Sequence, residues 1–422
     1  MIQKSSLIKL EQRLNVIKPS ATLAINEKSL ELQAKGKEIY RFGLGQSPFP
    51  VPEVVVEALK NNAAQKDYLN TKGLKELRAA VSAYHKRING LNFKEENIQI
   101  GPGSKELIYD ILLALDATLL LASPSWVSYE PQGRLANKKI VWIPCEEANQ
   151  WKVTPRNLEV YCQQTEEQKV ILLNYPNNPT GQTYSKQELK DLASVAKKYK
   201  VLVIADEIYG ALSFEPHHSI ASYYPEGTIV TAGLSKWCGA GGWRLGTAAF
   251  PESLETLVNY MSIIASETFT SVSAPIQHAA VQAFNPHNEL EDYVSKSIQI
   301  LKIVADHCFA TLKANRLQVN PADGGFYLFV NATAFKAELK KKGINNSRQL
   351  VEDILESTGV ALLPGTDFGR PESELTFRLA FVDFDGKTAL EAIEKMQSKE
   401  TFIEIYCPKV KSGIDKLCAY FS

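Results

Sequence analysis

The sequence is short of the features that would assign it quickly. It has no CxxC pair: Cys145, Cys162, Cys238, Cys308, Cys407 and Cys418 lie scattered, so neither a zinc knuckle nor a thioredoxin-like motif is present. Unpatterned cysteines of this kind read as small buried hydrophobes in a reducing compartment. There is no excess of either charge, with 47 Lys and Arg against 47 Asp and Glu. That balance removes the overall basic field that recruits nucleic acid or acidic membrane. No apolar run reaches bilayer length, and the polar start at Met1–Ser6 leads into no signal-like apolar stretch. His85, His217, His218, His278, His287 and His307 show no ligand spacing, so no metal site is expected. A Walker loop is missing, and no complete dinucleotide fingerprint follows the first strand-like run, which argues against nicotinamide chemistry. The expectation is a soluble, cytoplasmic protein with neither nucleic-acid nor membrane partners.

What is present is an alternation of strand and helix patterns. At 422 residues the chain exceeds what one hydrophobic core usually supports. An arm of about forty residues ends in the Gly/Pro-rich loop Gly43–Pro52, and helical patterning from Pro52 to Asn89 breaks near Asn70–Gly73. Apolar runs then recur at Ile98–Ile100, Thr118–Ala122, Ile140–Ile143, Val170–Asn174, Val201–Ala205, Ile229–Thr231 and Thr247–Phe250. Between them lie helical patterns such as Lys105–Leu115 and Lys186–Lys198. Nearly all-apolar strands alternating with amphipathic helices predict an α/β fold with a largely parallel seven-stranded sheet covered on both faces. The amphipathic stretch Glu289–Leu312 introduces a mixed α+β remainder. The predicted division is residues 1–50 as an arm and part of a small domain, 51–300 as the large domain, and 301–422 as the C-terminal small domain.

Four segments carry chemistry, and each sits where a strand ends. Gly101-Pro102-Gly103-Ser104-Lys105 opens a helix, whose unpaired N–H groups and positive dipole end suit a phosphate; taken alone it reads as a capped helix with Ser104 as N-cap. Asn174-Tyr175-Pro176-Asn177-Asn178-Pro179-Thr180-Gly181 is a rigid turn able to hold a ligand oxygen. The run Val201–Tyr209 delivers Asp206, Glu207 and Tyr209 at the end of a buried strand, with the two carboxylates on opposite sides if the strand continues. Thr231–Trp237 brings Lys236 amid Ser and Gly, with Arg244 eight residues on; a lysine in such a place fits Schiff-base chemistry beside an anion site.

In this order the segments resemble the class I/II aminotransferases of the fold-type I, pyridoxal-phosphate-dependent transferases, over about Gly43 to Phe384. The resemblance implies a pyridoxal 5'-phosphate enzyme in which Lys236 forms the internal aldimine and shuttles a proton. It implies Asp206 beside the pyridine nitrogen, Tyr209 and Asn178 as donors to the ring's phenolic oxygen, and Trp126 stacked on the ring. The phosphate cup would comprise Gly103, Ser104, Lys105 (by its backbone), Ser235 and Arg244. Tyr68 would reach the phosphate of a neighbouring subunit, making a homodimer with shared sites. Arg378 would grip the substrate α-carboxylate, with Gly45 and the Phe326-Tyr327 pair as substrate-side walls, and Trp126 and Asn178 also facing the substrate. Two departures stand out: Gly233 replaces the serine common three positions before the lysine, and the Gly45–Pro50 loop lacks the usual acidic residue. The implied activity is ping-pong transfer of an amino group from an L-amino acid to a 2-oxo acid. The alternatives on one scaffold are a carbon–sulfur β-lyase or a related eliminating enzyme, and, more remotely, a non-catalytic cofactor-sensing module.

Overall fold

The computed structural model describes Leu14, Asn15, Ile17 and residues 21–164 and 166–422, so the first part of the expected arm lies outside the described residues. A seven-stranded sheet forms the centre. In chain order its strands are β1 (Ile98–Gly101), β2 (Thr118–Ser123), β3 (Ile140–Pro144), β4 (Lys169–Asn174), β5 (Leu202–Asp206), β6 (Thr228–Gly233) and β7 (Gly246–Ala249). Their spatial order is β1-β7-β6-β5-β4-β2-β3. β7 runs antiparallel to both neighbours, and every other pairing is parallel.

Successive side chains on a strand point to opposite faces, and both faces here are dry. Ile171, Leu173, Val203, Ala205 and Val230 join one apolar core, while Val170, Leu172, Leu202, Ile204 and Ile229 join another. Two helical layers supply the covers. Helix Lys186–Lys198 starts at a capping box, in which Ser185 accepts from the Glu188 N–H and the Glu188 carboxylate accepts from the Ser185 N–H. Its buried stripe is Leu189, Leu192, Ala193 and Ala196.

The order 3-2-4-5-6 reverses between β2 and β4, and a crevice opens there beyond the carboxyl ends of the strands, where open α/β sheets bind ligands. The turn after β2 carries Trp126, and the turn after β4 carries Asn178.

The remainder is built on a four-stranded antiparallel sheet. Its strands are β8 (Gln318–Val319), β9 (Tyr327–Asn331), β10 (Leu363–Pro364) and β11 (Thr376–Ala380), in the order β10-β11-β9-β8. A separate short pairing joins Tyr40–Arg41 to Val360–Ala361. The chain after Glu400, which matches no sequence pattern, forms helices Lys399–Tyr406 and Pro408–Tyr420. Gly413 of the second lies against Phe42 and Tyr40, so residues at the two ends of the sequence share one core.

Two expectations change in detail. The break in the early helical region runs through residues 63–74, between helices Glu53–Asn62 and Lys75–Asn89. The predicted boundary at 300/301 falls inside one continuous 27-residue helix, Asn288–Ala314. Among the described residues no helix is long and apolar enough to cross a membrane.

Candidate active site

The crevice holds a cavity of about 480 Å³ whose lining includes Gly45, Ser104, Lys105, Trp126, Asn178, Asp206, Tyr209, Ser235, Lys236, Arg244 and Arg378. Segments separated by more than 300 residues thus converge on one space. Gly103 does not line it directly but precedes Ser104, and Tyr68 is not brought to it: Tyr68 is 91% exposed, in the stretch between the first two helices after Pro52.

Asp206 ends β5 and points into the cavity floor. Its carboxylate accepts from Tyr129 Oη (2.6 Å), Ile208 N (3.3 Å) and Thr231 Oγ1 (3.4 Å). Burial nevertheless outweighs these donors and pushes its pKa up to about 6. Glu207 turns the other way, as strand geometry requires, and accepts from Tyr175 Oη and Ser219 Oγ beside His217 Nε2 at 3.0 Å. Asp206 alone of the pair faces the cavity.

Lys236 follows β6. Its Nζ donates to the Gly45 carbonyl at 2.9 Å and lies 5.4 Å and 5.6 Å from the ring centres of Tyr209 and Phe326. Enclosure, with Arg378 nearby, lowers its pKa to about 8. Tyr209 Oη is 2.8 Å from Tyr327 Oη, which closes that side.

The anion end is formed by helix Ser104–Ala114. Gly103 is its N-cap and Ser104 its first helical residue, so the N-cap reading of Ser104 is corrected: no side chain caps this helix, and its first N–H groups stay open to the cavity. A Cβ at Gly246 would lie 2.2 Å from Ser104 N, so only glycine there lets β7 run beneath the helix start. Arg244 is tied by its guanidinium to the carbonyls of Gly241 (2.8 Å) and Pro102 (3.1 Å). The departure at Gly233 has a similar cause. A Cβ there would sit 2.6 Å from the Leu245 carbonyl, forcing β6 and β7 apart.

Opposite stands Arg378 on β11, 1% exposed. Nη1 donates to Asn178 Oδ1 at 3.1 Å and Nη2 to the Gly43 carbonyl, while Nε finds no partner. Among the described residues no carboxylate forms a salt bridge with it. Asp367 acts on it only through space, and a buried guanidinium in no direct ion pair is costly, which marks a place for an anion from outside.

The family model for aminotransferase class I and II matches residues 37–395. The chain belongs to the class I and II aminotransferase family. It is 30% identical over 414 residues to an aspartate aminotransferase of Bacillus subtilis (strain 168), covering 94% of this chain and 99% of that one. It is 31% identical over 409 residues to an asparagine–oxo-acid transaminase of Streptococcus mutans, covering 93% and 99%. An aspartate aminotransferase of Thermus thermophilus, solved with maleate, superposes with a TM-score of 0.84 at 27% identity, covering 98% of this chain and all of the other. The protein is therefore a fold-type I aminotransferase dependent on pyridoxal phosphate, and the eliminating and sensing alternatives are not favoured.

The aminotransferase's own residues fit that cofactor. The cavity offers open N–H groups and a guanidinium at one end, a buried carboxylate on the floor and an enclosed amine between them. That donor set complements a phosphate, a protonatable ring nitrogen and an aldehyde. Tyr129 and Thr231, both on Asp206, were not singled out from the sequence. Tyr129 has a local signal, being three residues after Trp126 at the start of helix Tyr129–Leu135. Thr231 has none, since it reaches Asp206 only through the β5–β6 register.

Proposed function

We propose that this aminotransferase acts on a dicarboxylic L-amino acid of the aspartate kind. The observation that carries aminotransfer is the buried Arg378 guanidinium, in no salt bridge among the described residues, facing the same cavity as the Lys236 amine; the dicarboxylic choice rests on Lys105. The cofactor supplies a carbonyl for amines and an electron-accepting ring. The remaining work belongs to the chain. Arg378 binds the substrate α-carboxylate through Nε and Nη groups, in a planar geometry that also fixes the Cα–H direction. Lys236 is the amine that holds the cofactor and, once displaced, the base at the substrate Cα. Asp206 keeps a proton on the ring nitrogen, with Tyr129 orienting its carboxylate. Tyr209 and Asn178 would donate to the ring oxygen, Trp126 would wall the ring, and Ser104, Lys105 N–H, Ser235 and Arg244 would receive the phosphate.

Lys105 supports the substrate class. Its ammonium lies 5.2 Å over the Trp126 ring at the cavity rim and makes no salt bridge among the described residues. A second substrate carboxylate would meet it there, and the Gly45–Pro50 loop brings Gln46 rather than a repelling carboxylate. The relatives' names and the maleate of the Thermus structure support the same reading. In Lys105→Met, kcat/KM for aspartate is expected to fall about 10- to 100-fold, the worth of a charged hydrogen bond, while alanine is little affected. An equal loss for both donors, or weaker cofactor affinity alone, would return Lys105 to a purely backbone role.

The lowered Lys236 pKa makes a second expectation. Only the neutral amine attacks an aldehyde, so uptake of cofactor by the cofactor-free protein should accelerate with pH and level off above about 8. Stopped-flow absorbance across pH 6–11 checks this, and a rise continuing through pH ~10.4, the range of a free lysine, would contradict it.

The reaction itself is tested by following the cofactor's visible band. Aspartate alone should bleach it and a 2-oxo acid should restore it; a band that persists when cysteine is the only amino acid, with pyruvate, ammonia and hydrogen sulfide accumulating together, would indicate elimination. We further propose a cytoplasmic homodimer in which Tyr68 completes the partner's phosphate site. Its 91% exposure and the six buried, unpaired cysteines support this. The division into residues 1–50, 51–300 and 301–422 stands as a proposal about closure, with helix Asn288–Ala314 as the continuous strut between the two larger parts.

A further inference from the structure

We propose that Arg370 is a positioning residue: it fastens the turn that presents Trp126 to the segment that backs Arg378. Arg370 lies between β10 and β11, just after the 3-10 turn Gly365–Phe368. Its guanidinium is shared between two jobs. Nε and Nη2 form a fork to the two carboxylate oxygens of Glu374, at 2.8 Å and 2.6 Å. Nη1 donates to the Ser123 carbonyl (2.7 Å), Ser123 Oγ (3.2 Å) and the Cys145 carbonyl (3.0 Å). Those carbonyls belong to the last residue of β2 and the residue after β3, where the two strands stop pairing; the Ser123 carbonyl also accepts from the Cys145 N–H at 3.0 Å. The Trp151 ring covers the guanidinium at 4.7 Å.

Two more bonds join the same pieces. Ser123 Oγ donates to the Gly369 carbonyl at 2.7 Å, and Ser125 N–H donates to the Phe368 carbonyl at 3.0 Å. Trp126 is the next residue along. On the other side Phe368 is fully buried, with the Arg378 guanidinium 5.3 Å from its ring centre. A contact path therefore runs from Trp126 through Ser125 and Ser123 to Gly369 and Arg370, and through Phe368 to Arg378. Seating a carboxylate on Arg378 and holding the wall over the cofactor ring become one mechanical problem, with Arg370 as the shared fastener. Lysine would not serve, because a single ammonium cannot hold the Glu374 fork and reach both strand-end carbonyls.

The proposal rests on the roles given above to Trp126 and Arg378. Its test uses Arg370→Met and Arg370→Lys beside Arg378→Lys. In cofactor-free protein, amide exchange at Ser125 is expected to speed up by about ten-fold or more in both Arg370 variants, as the bonds that pin its acceptor are lost. In the holoenzyme KM for the amino donor should rise about ten-fold with a smaller change in kcat, as follows when a binding geometry is loosened. Unchanged Ser125 exchange, or faster exchange spread evenly over the molecule with KM untouched, would make Arg370 merely structural and overturn the proposal. Should Arg370→Met fail to fold, Glu374→Gln frees one side of the fork and must shift both readouts in the same direction, by less. If Arg378→Lys leaves KM unchanged, the carboxylate reading fails; if it raises KM and the Arg370 variants do not, only the present proposal fails.

Discussion

Lys236→Ala is expected to slow both half-reactions by about ten-thousand-fold or more, the upper range for loss of a positioned acid–base group. It should also leave no cofactor on the protein after borohydride reduction and peptide mass analysis. Two amines border the cavity, and the structure separates them. Lys105 stands exposed at the rim over Trp126, whereas Lys236 Nζ is enclosed by Tyr209 and Phe326 and anchored on the Gly45 carbonyl. Enclosure lowers the Lys236 pKa to about 8, so a useful fraction is neutral near physiological pH. The Gly45 bond aims it at the side where Arg378 would hold a carboxylate. A reduced adduct on Lys105 in the variant, or turnover within ten-fold of the unaltered enzyme, would sink the assignment.

Much of this site was legible because its signals are local. A strand end followed by Ser-Lys, Asp-x-x-Tyr or Asn-Pro-Thr-Gly requires only a few consecutive residues to fall on one edge of a sheet. The strand sequences gave their positions to within a residue or two, since buried parallel strands are short, apolar and bounded by polar turns. Val201–Ala205, for example, is realised as Leu202–Asp206. What the sequence withheld is nearly all long-range. The bond of Arg370 to Ser123 spans 247 residues, and that of Arg378 to Asn178 spans 200. The tail after Glu400 carries no motif because its partners, Tyr40 and Phe42, lie at the other end of the chain. Tyr68 shows the converse: a motif residue that the fold delivers outward, away from the cavity its own chain forms.

Local and distant information meet at Asp206, where a single substitution should move activity and stability in opposite directions. In Asp206→Asn the isosteric amide keeps the size but carries no charge to hold a proton on the ring nitrogen. An adjacent opposite charge is worth about 1–3 pKa units, so catalysis should fall by up to about 1000-fold. The cofactor-free protein should behave differently. Burial raises the Asp206 pKa from 3.8 to about 6. The folded state thus binds the proton more tightly than the unfolded chain does, and stability falls as pH rises from the unfolded value through the folded one. Above about pH 6 the full cost applies, about 3 kcal/mol for a shift of roughly two units. The amide has no charge to desolvate, and Tyr129 Oη can accept from it as readily as it donates to the carboxylate. At pH 7 the cofactor-free variant should therefore melt a few degrees higher than the unaltered protein, with the difference vanishing toward pH 4. Scanning calorimetry of both cofactor-free proteins at the two pH values decides it. A variant that melts lower at pH 7, or one that retains full activity, would mean that this carboxylate is held for the fold and not for the ring nitrogen.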